Sequence, residues 1–134
     1  QDTANYLIHE IEMKKDKYVG KSFSILLDDL KVKPKRIIIG NWNGLFDQTK
    51  DFGKNMTINF NFEREFEKAH IISIDFKNIP TDFDTLYKLY FPSNKRDINK
   101  IFELYKNIII TRVGVKIYAQ DEPPRPGITD NSHL

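Results

Sequence analysis

Three features of the sequence predict an α+β fold in which helices pack on one face of a sheet of about four mostly antiparallel strands. Apolar and polar residues alternate from Asn55 to Lys77, four other segments carry apolar residues on a helical period, and the segments follow one another in the order ααβββααβ. Successive side chains of a strand point to opposite faces, so alternation marks a strand with one dry and one wet face. Parallel strands covered on both faces read instead as continuous apolar runs.

The helical stripes follow the spacing i, i+3, i+4, i+7. They are Ala4, Leu7, Ile8 and Ile11; Phe23, Leu26, Leu27 and Leu30; Phe83, Leu86, Tyr87 and Tyr90; and Ile98, Ile101, Phe102 and Tyr105. Asp2 or Thr3, Ser22, Thr81 and Asp97 stand where a side-chain oxygen caps a helix start, and Thr81 with Asp84 reads as a capping box. Gly20 is placed to end the first helix and Pro92 the third. The strands are expected over Arg36 to Trp42, Met56 to Phe66, His70 to Lys77 and Ile108 to Tyr118. In the hairpin Met56, Ile58, Phe60, Phe62, Ile72 and Ile74 form the dry face, and Asn55, Thr57, Asn59 and Asn61 the wet one. Helices on one side of the sheet bury every stripe at once.

A chain of 134 residues with 40% hydrophobic and 30% charged residues has the size and composition of one globular domain. That domain is expected over residues 1–119. The segment 120–134, with Pro123, Pro124, Pro126 and Gly127, is expected to be an extended or disordered tail. The 21 basic and 19 acidic residues leave a net charge of +2 spread along the chain, which argues against nucleic acid as a partner. The longest apolar runs, Ile37 to Ile39 and Ile108 to Ile110, fall far short of the roughly 20 residues that span a bilayer. With no cysteine there is no disulfide framework, thiolate nucleophile or sulfur-ligated metal. A start at Gln1 in place of Met reads as a mature chain whose signal peptide has been removed, so export to the periplasm, cell envelope or exterior is expected.

Motifs for catalysis or cofactors fail on inspection. Gly20-Lys21-Ser22 resembles the end of a phosphate-binding loop, but Lys15 stands where the loop needs its first glycine. His9-Glu10 begins a zinc-protease helix, yet Met13 occupies the position of the second histidine. Asp47, Thr49 and Asp51 have the oxygen spacing of a calcium loop, with Phe52 and Ile58 in place of its glycine and bidentate carboxylate. Glu63, Glu65 and Glu67 share one strand face beside Arg64 and Lys68, as a solvated hairpin tip does. No cofactor and no catalytic residue is predicted.

Two surfaces keep functional weight. Trp42, the one tryptophan, lies between Asn41 and Asn43 at a strand end, an arrangement that can stack on and hydrogen-bond a flat ligand. The second is the wet sheet face, with Asn59, Asn61 and Tyr118, where short amides can pair with a partner strand or a polar ligand. The expected function is a non-enzymatic, exported binding or interaction domain for a protein or a polar small-molecule or glycan partner. The competing expectation is a small ligand-binding or enzymatic module with a pocket between sheet and helices.

The run from Tyr18 to Leu30, in which Tyr-x-Gly-Lys-x-x-Ser opens a short helix, resembles a segment of small uncharacterised exported proteins of Bacteroides-type bacteria. That resemblance implies export and carries no activity. More distantly the arrangement is similar to the two-helix-then-sheet modules of envelope assembly lipoproteins and beta-lactamase inhibitors. Here the lipid-carrying cysteine is missing and a second helical pair precedes the last strand.

Overall fold

A computed structural model describes residues 2–40, 52–61, 68–91 and 96–118. The expected order ααβββααβ is the order observed. Helix α1 (Thr3–Tyr6) runs into a π-helical stretch (Leu7–Glu12) and is followed by a 3₁₀ turn (Lys15–Lys17), α2 (Phe23–Asp29), β1 (Arg36–Gly40), β2 (Asn55–Asn59) and β3 (Ile71–Phe76). Then come α3 (Phe83–Tyr90), α4 (Ile98–Tyr105) and β4 (Ile110–Lys116). The strands form one antiparallel sheet in the order β1-β2-β3-β4, so β2 and β3 are its central strands.

Register lines up two apolar rows across the sheet, Ile37, Ile58, Ile72, Val115 and Ile39, Met56, Ile74, Val113. These rows join Leu7, Ile8, Ile11, Phe23, Leu26, Leu86 and Ile101 from the helices in one core. Phe23 fixes the meeting point of three elements, edge-on to Phe76 of β3 at 5.2 Å and to Phe102 of α4 at 5.5 Å.

The helix starts differ in part from expectation. Asp2 accepts from Ala4 N and Asp97 from Lys100 N, as their positions imply. At α3 the cap is Asp82, whose carboxylate accepts from Thr85 N at 2.7 Å, and not Thr81. Ser22 caps nothing, because its hydroxyl is engaged with that of Ser24. The first helix stops at Glu12, before Gly20. Its π turn, closed by Met13 N donating to Ile8 O, leaves the Glu10 carbonyl to accept from Tyr18 Oη.

The larger correction concerns the wet face. Asn55, Thr57 and Asn59 do point away from the apolar rows, yet they are 6%, 1% and 2% exposed, and Asn61 is half-buried. Part of the cover comes from Arg112, which reaches across β3 to Asp75 Oδ2 at 2.7 Å and Ser73 Oγ at 2.9 Å. Gly114 makes the room, since a Cβ there would stand 2.9 Å from the Arg112 guanidinium. Strand β2 also ends at Asn59 and not Phe66. After a last backbone bond from Phe60 N to the His70 carbonyl, the Asn59 side chain accepts from Asn61 N, and the Asn61 side chain takes the Lys68 carbonyl and the His70 N–H.

Arg96 closes part of the β1 edge. Its guanidinium lies 3.7 Å from the Tyr90 ring centre, donates to the Tyr90 carbonyl and reaches the Ile37 carbonyl on β1 at 3.0 Å. The start of β4 is met by residues 20–23 through Gly20 N to Ile110 O, Ile110 N to Lys21 O and Phe23 N to Ile108 O. Among the described residues no helix is long and apolar enough to cross a membrane.

Candidate functional site

A groove of about 580 Å³ lies on the surface between α2 and α4. Leu27, Leu30 and Val32 form its floor together with Phe102 from α4. All four belong to or pack against the core. The α2 stripe makes this floor, because its last two leucines run past the end of the helix into an extended strap over residues 31–35. The strap is held at both ends: Lys31 N donates to Tyr6 Oη at 2.8 Å and Lys35 N to the Asn59 carbonyl of β2 at 2.8 Å. Ser24 N donates to the Lys106 carbonyl and ties α2 to the end of α4.

The rim is charged. Asp28, Lys31 and Lys33 stand on the α2 and strap side, and Glu103 and Lys106, which pair with each other, on α4. Residues two apart on extended backbone project to the same side. Lys31 and Lys33 are therefore exposed together while Val32 between them turns toward the core.

Lys31 also lines a second, smaller pocket of about 280 Å³ with Tyr6, Glu10, Lys14, Lys17, Tyr18 and Asp29. Here Tyr6 donates to the Asp29 carbonyl, Tyr18 to Asp29 Oδ2 at 2.8 Å, and Lys17 pairs with Asp29 at 2.7 Å. Burial, with the Asp29 hydrogen bond adding to it, raises the Tyr18 phenol far above its ordinary value. The Lys17 and then the Tyr18 hydrogen bond hold the Asp29 carboxyl below the usual carboxylate range. General acid–base chemistry works best with groups poised near neutrality, and these two are displaced from it in opposite directions. The pocket is organised to hold its own elements together.

The residues singled out by sequence meet different ends. Asn59, Asn61 and Tyr118 are brought together around His70: Asn61 N donates to Asn59 Oδ1, His70 N to Asn61 Oδ1, and Tyr118 N to His70 Nδ1 at 3.1 Å. The Asn59 and Asn61 side chains thus hold the turn after β2, while Tyr118 is tied through its backbone N–H. Asn41, Trp42 and Asn43 lie outside the described residues, as do the carboxylates Glu63, Glu65 and Glu67 and the segment 120–134. The space between sheet and helices is filled by side chains such as Met56, Ile58, Ile72 and Ile74 that have no exposure.

Sequence reasoning assigned Leu27 and Leu30 wholly to the core stripe and passed over Lys31-Val32-Lys33-Pro34. Its single apolar residue between lysines, ending in a proline, was the signal available for an extended wall. A third surface includes Phe83 and Tyr87, which the helical period assigned to a buried stripe. Phe83, Tyr87 and Phe91 run down α3 at four-residue intervals, Tyr87 and Phe91 stack at 4.2 Å, and the two are 45% and 47% exposed. Phe91 also stacks against Phe52, so much of the aromatic surface is already used within the row.

No protein-family model matches this chain. Comparison with curated proteins and comparison with solved structures likewise find no match. The fold and its groove define an antiparallel α+β domain with a ligand-sized cleft on its helical side.

Proposed function

We propose that this chain is a non-enzymatic, exported binding domain whose ligand lies in the groove between α2 and α4. One observation carries the reading: a concavity of about 580 Å³ with an apolar floor and a charged rim. Sites for small molecules typically span about 300–1,000 Å³ and combine these two features. Ser24 N ties the two helices through the Lys106 carbonyl, and the strap is fixed to Tyr6 Oη and to the Asn59 carbonyl, which favours a preformed site. Export is supported by the resemblance of residues Tyr18 to Leu30 to exported proteins.

A screen of small aliphatic and aromatic fragments by protein-observed NMR tests the site. Shifts clustered at Leu27, Val32, Phe102 and Glu103 are expected. Hits confined to other surfaces would overturn the placement. Export is tested separately by fractionating source cells, where recovery in the cytosol alone would count against it.

A second reading is favoured by the exposed Tyr87–Phe91 pair. Because ring faces in that row are turned toward neighbouring rings, it suits an apolar protein surface better than a stacked sugar. Fragment hits at Tyr87 and Phe91, abolished by Tyr87→Ser, would favour this reading over the groove.

A further inference from the structure

Charge at the rim of the groove narrows what it takes, an inference that rests on the groove being the binding site. We propose that the ligand is an amphipathic anion: a small carboxylate with an apolar body lying on Leu27, Leu30, Val32 and Phe102 and its charged head between Lys31 and Lys33. Glu103 and Lys106 are paired and cancel. What remains on the rim is two lysines against the carboxylate of Asp28, with Asp29 of the adjoining pocket near enough to Lys31 to feel its charge. Neither Lys31 nor Lys33 has an ion-pair partner among the described residues. Both stand on a strap whose backbone is fixed at Lys31 and at Lys35. Both line the groove beside its half-buried apolar floor, so one end of a ligand meets positive charge while the rest is removed from water. A cationic head would meet two like charges in the same place. A neutral one would gain less, a hydrogen bond without the attraction between opposite charges.

The test uses the full chain and three probes with the same eight-carbon tail, below their micellar concentrations: sodium octanoate, octyl glucoside and octyltrimethylammonium chloride. NMR titration is expected to give the tightest binding for octanoate, with shifts centred on residues 27–33 and Phe102, and to show that binding weaken with added salt. Lys31→Gln and Lys33→Gln are each expected to weaken octanoate about two- to fivefold, the range of an exposed ion pair, and to leave octyl glucoside unchanged. Both lysines are exposed, and an unchanged melting temperature verifies that the variants fold. Equal affinities for octanoate and octyl glucoside, or an octanoate affinity insensitive to both substitutions, would overturn the anionic ligand and leave the groove standing. Absence of shifts at the groove with all three probes would overturn both.

Discussion

Tyr18 donates its phenolic proton to Asp29 Oδ2 at 2.8 Å, joining the turn after the N-terminal helix to the last turn of α2. Tyr6 adds a second tie, donating to the Asp29 carbonyl and accepting from Lys31 N. Two nearly buried rings thus fix the point where α2 turns into the strap that walls the groove. A hydrogen bond to a charged group contributes about 1.5–3 kcal/mol, and less where the carboxylate is partly wet, as Asp29 is. Tyr18→Phe, which keeps the ring, should therefore cost about 1 to 2 kcal/mol in chemical denaturation. Asp29→Ala added to it should cost less than it does alone, since the pair shares one interaction. Strict additivity would show that the contact contributes nothing.

Gly53 is held at φ 99°, and its carbonyl accepts from the buried Tyr105 hydroxyl at 2.7 Å. A Cβ at this position would stand 2.5 Å from Leu86 Cδ2 and 2.9 Å from Tyr105 Oη. Alanine therefore meets both a disfavoured backbone and a filled core. Gly53→Ala should destabilise by about 2 to 4 kcal/mol, read as a lower denaturation midpoint. Gly40, where a Cβ meets nothing within 4 Å, should tolerate the same change within about 1 kcal/mol.

How much of this was legible in the sequence follows from what periodicity reports. A two-residue period states which side chains share a face, and it correctly sorted Met56 and Ile58 from Asn55, Thr57 and Asn59. It does not state whether the second face is covered. That depends on β2 being central and on Arg112 lying across Asp75 in the space left by Gly114, facts that join distant parts of the chain. Helix stripes were legible for the same reason, whereas choosing Asp82 over Thr81 as a cap required the path of the backbone. The groove was illegible because its two walls, Leu27 to Pro34 and Asn99 to Lys106, meet only through the fold.

Arg96 protects an edge strand rich in isoleucine. Its planar fork serves the Tyr90 and Ile37 carbonyls together while stacking on the Tyr90 ring, a combination that a lysine ammonium does not reproduce. Arg96→Ala uncovers a backbone acceptor beside Ile38, which is already 39% exposed. Self-association should increase, read as a rise in apparent mass with concentration by light scattering. Arg96→Lys should show the same trend. A monomeric Arg96→Ala protein at all concentrations would rule out this edge-protecting role.

Acid should weaken the sheet through Asp75. Burial alone would raise this carboxyl, but hydrogen bonds from Arg112 and Asn55 outweigh it and leave the group below its ordinary value. The folded chain therefore releases the proton more readily than the unfolded one. The resulting stability is full above the unfolded value of about 3.9 and is lost as pH falls through the lower folded value. Asp29 acts in the same direction. Asp75→Asn should lower stability at neutral pH and flatten the loss between pH 4 and lower values, measured as denaturation midpoint against pH. An acid limb as steep as that of the parent chain would assign the loss to other carboxylates.

Thr57 offers the opposite kind of change. It lies at the centre of β2 with 1% exposure, between Ile38 and Ser73 in register, and its hydroxyl oxygen has no hydrogen-bond partner among the described residues. A buried hydroxyl without a partner loses its hydration and gains nothing, at a cost of about 1–3 kcal/mol on mutational scales. Valine has nearly the same shape and the same preference for strands, and it carries no polar atom. Thr57→Val should therefore stabilise the fold by about 1 kcal/mol, which for a domain of this size raises the melting temperature by roughly 2 to 6 °C. Thr57→Ser, which keeps the hydroxyl and removes the methyl, should destabilise, so the pair separates the polar contribution from packing. A valine variant less stable than the parent would mean that the hydroxyl is solvated or bonded in solution and that this face of the sheet is more open than its burial indicates.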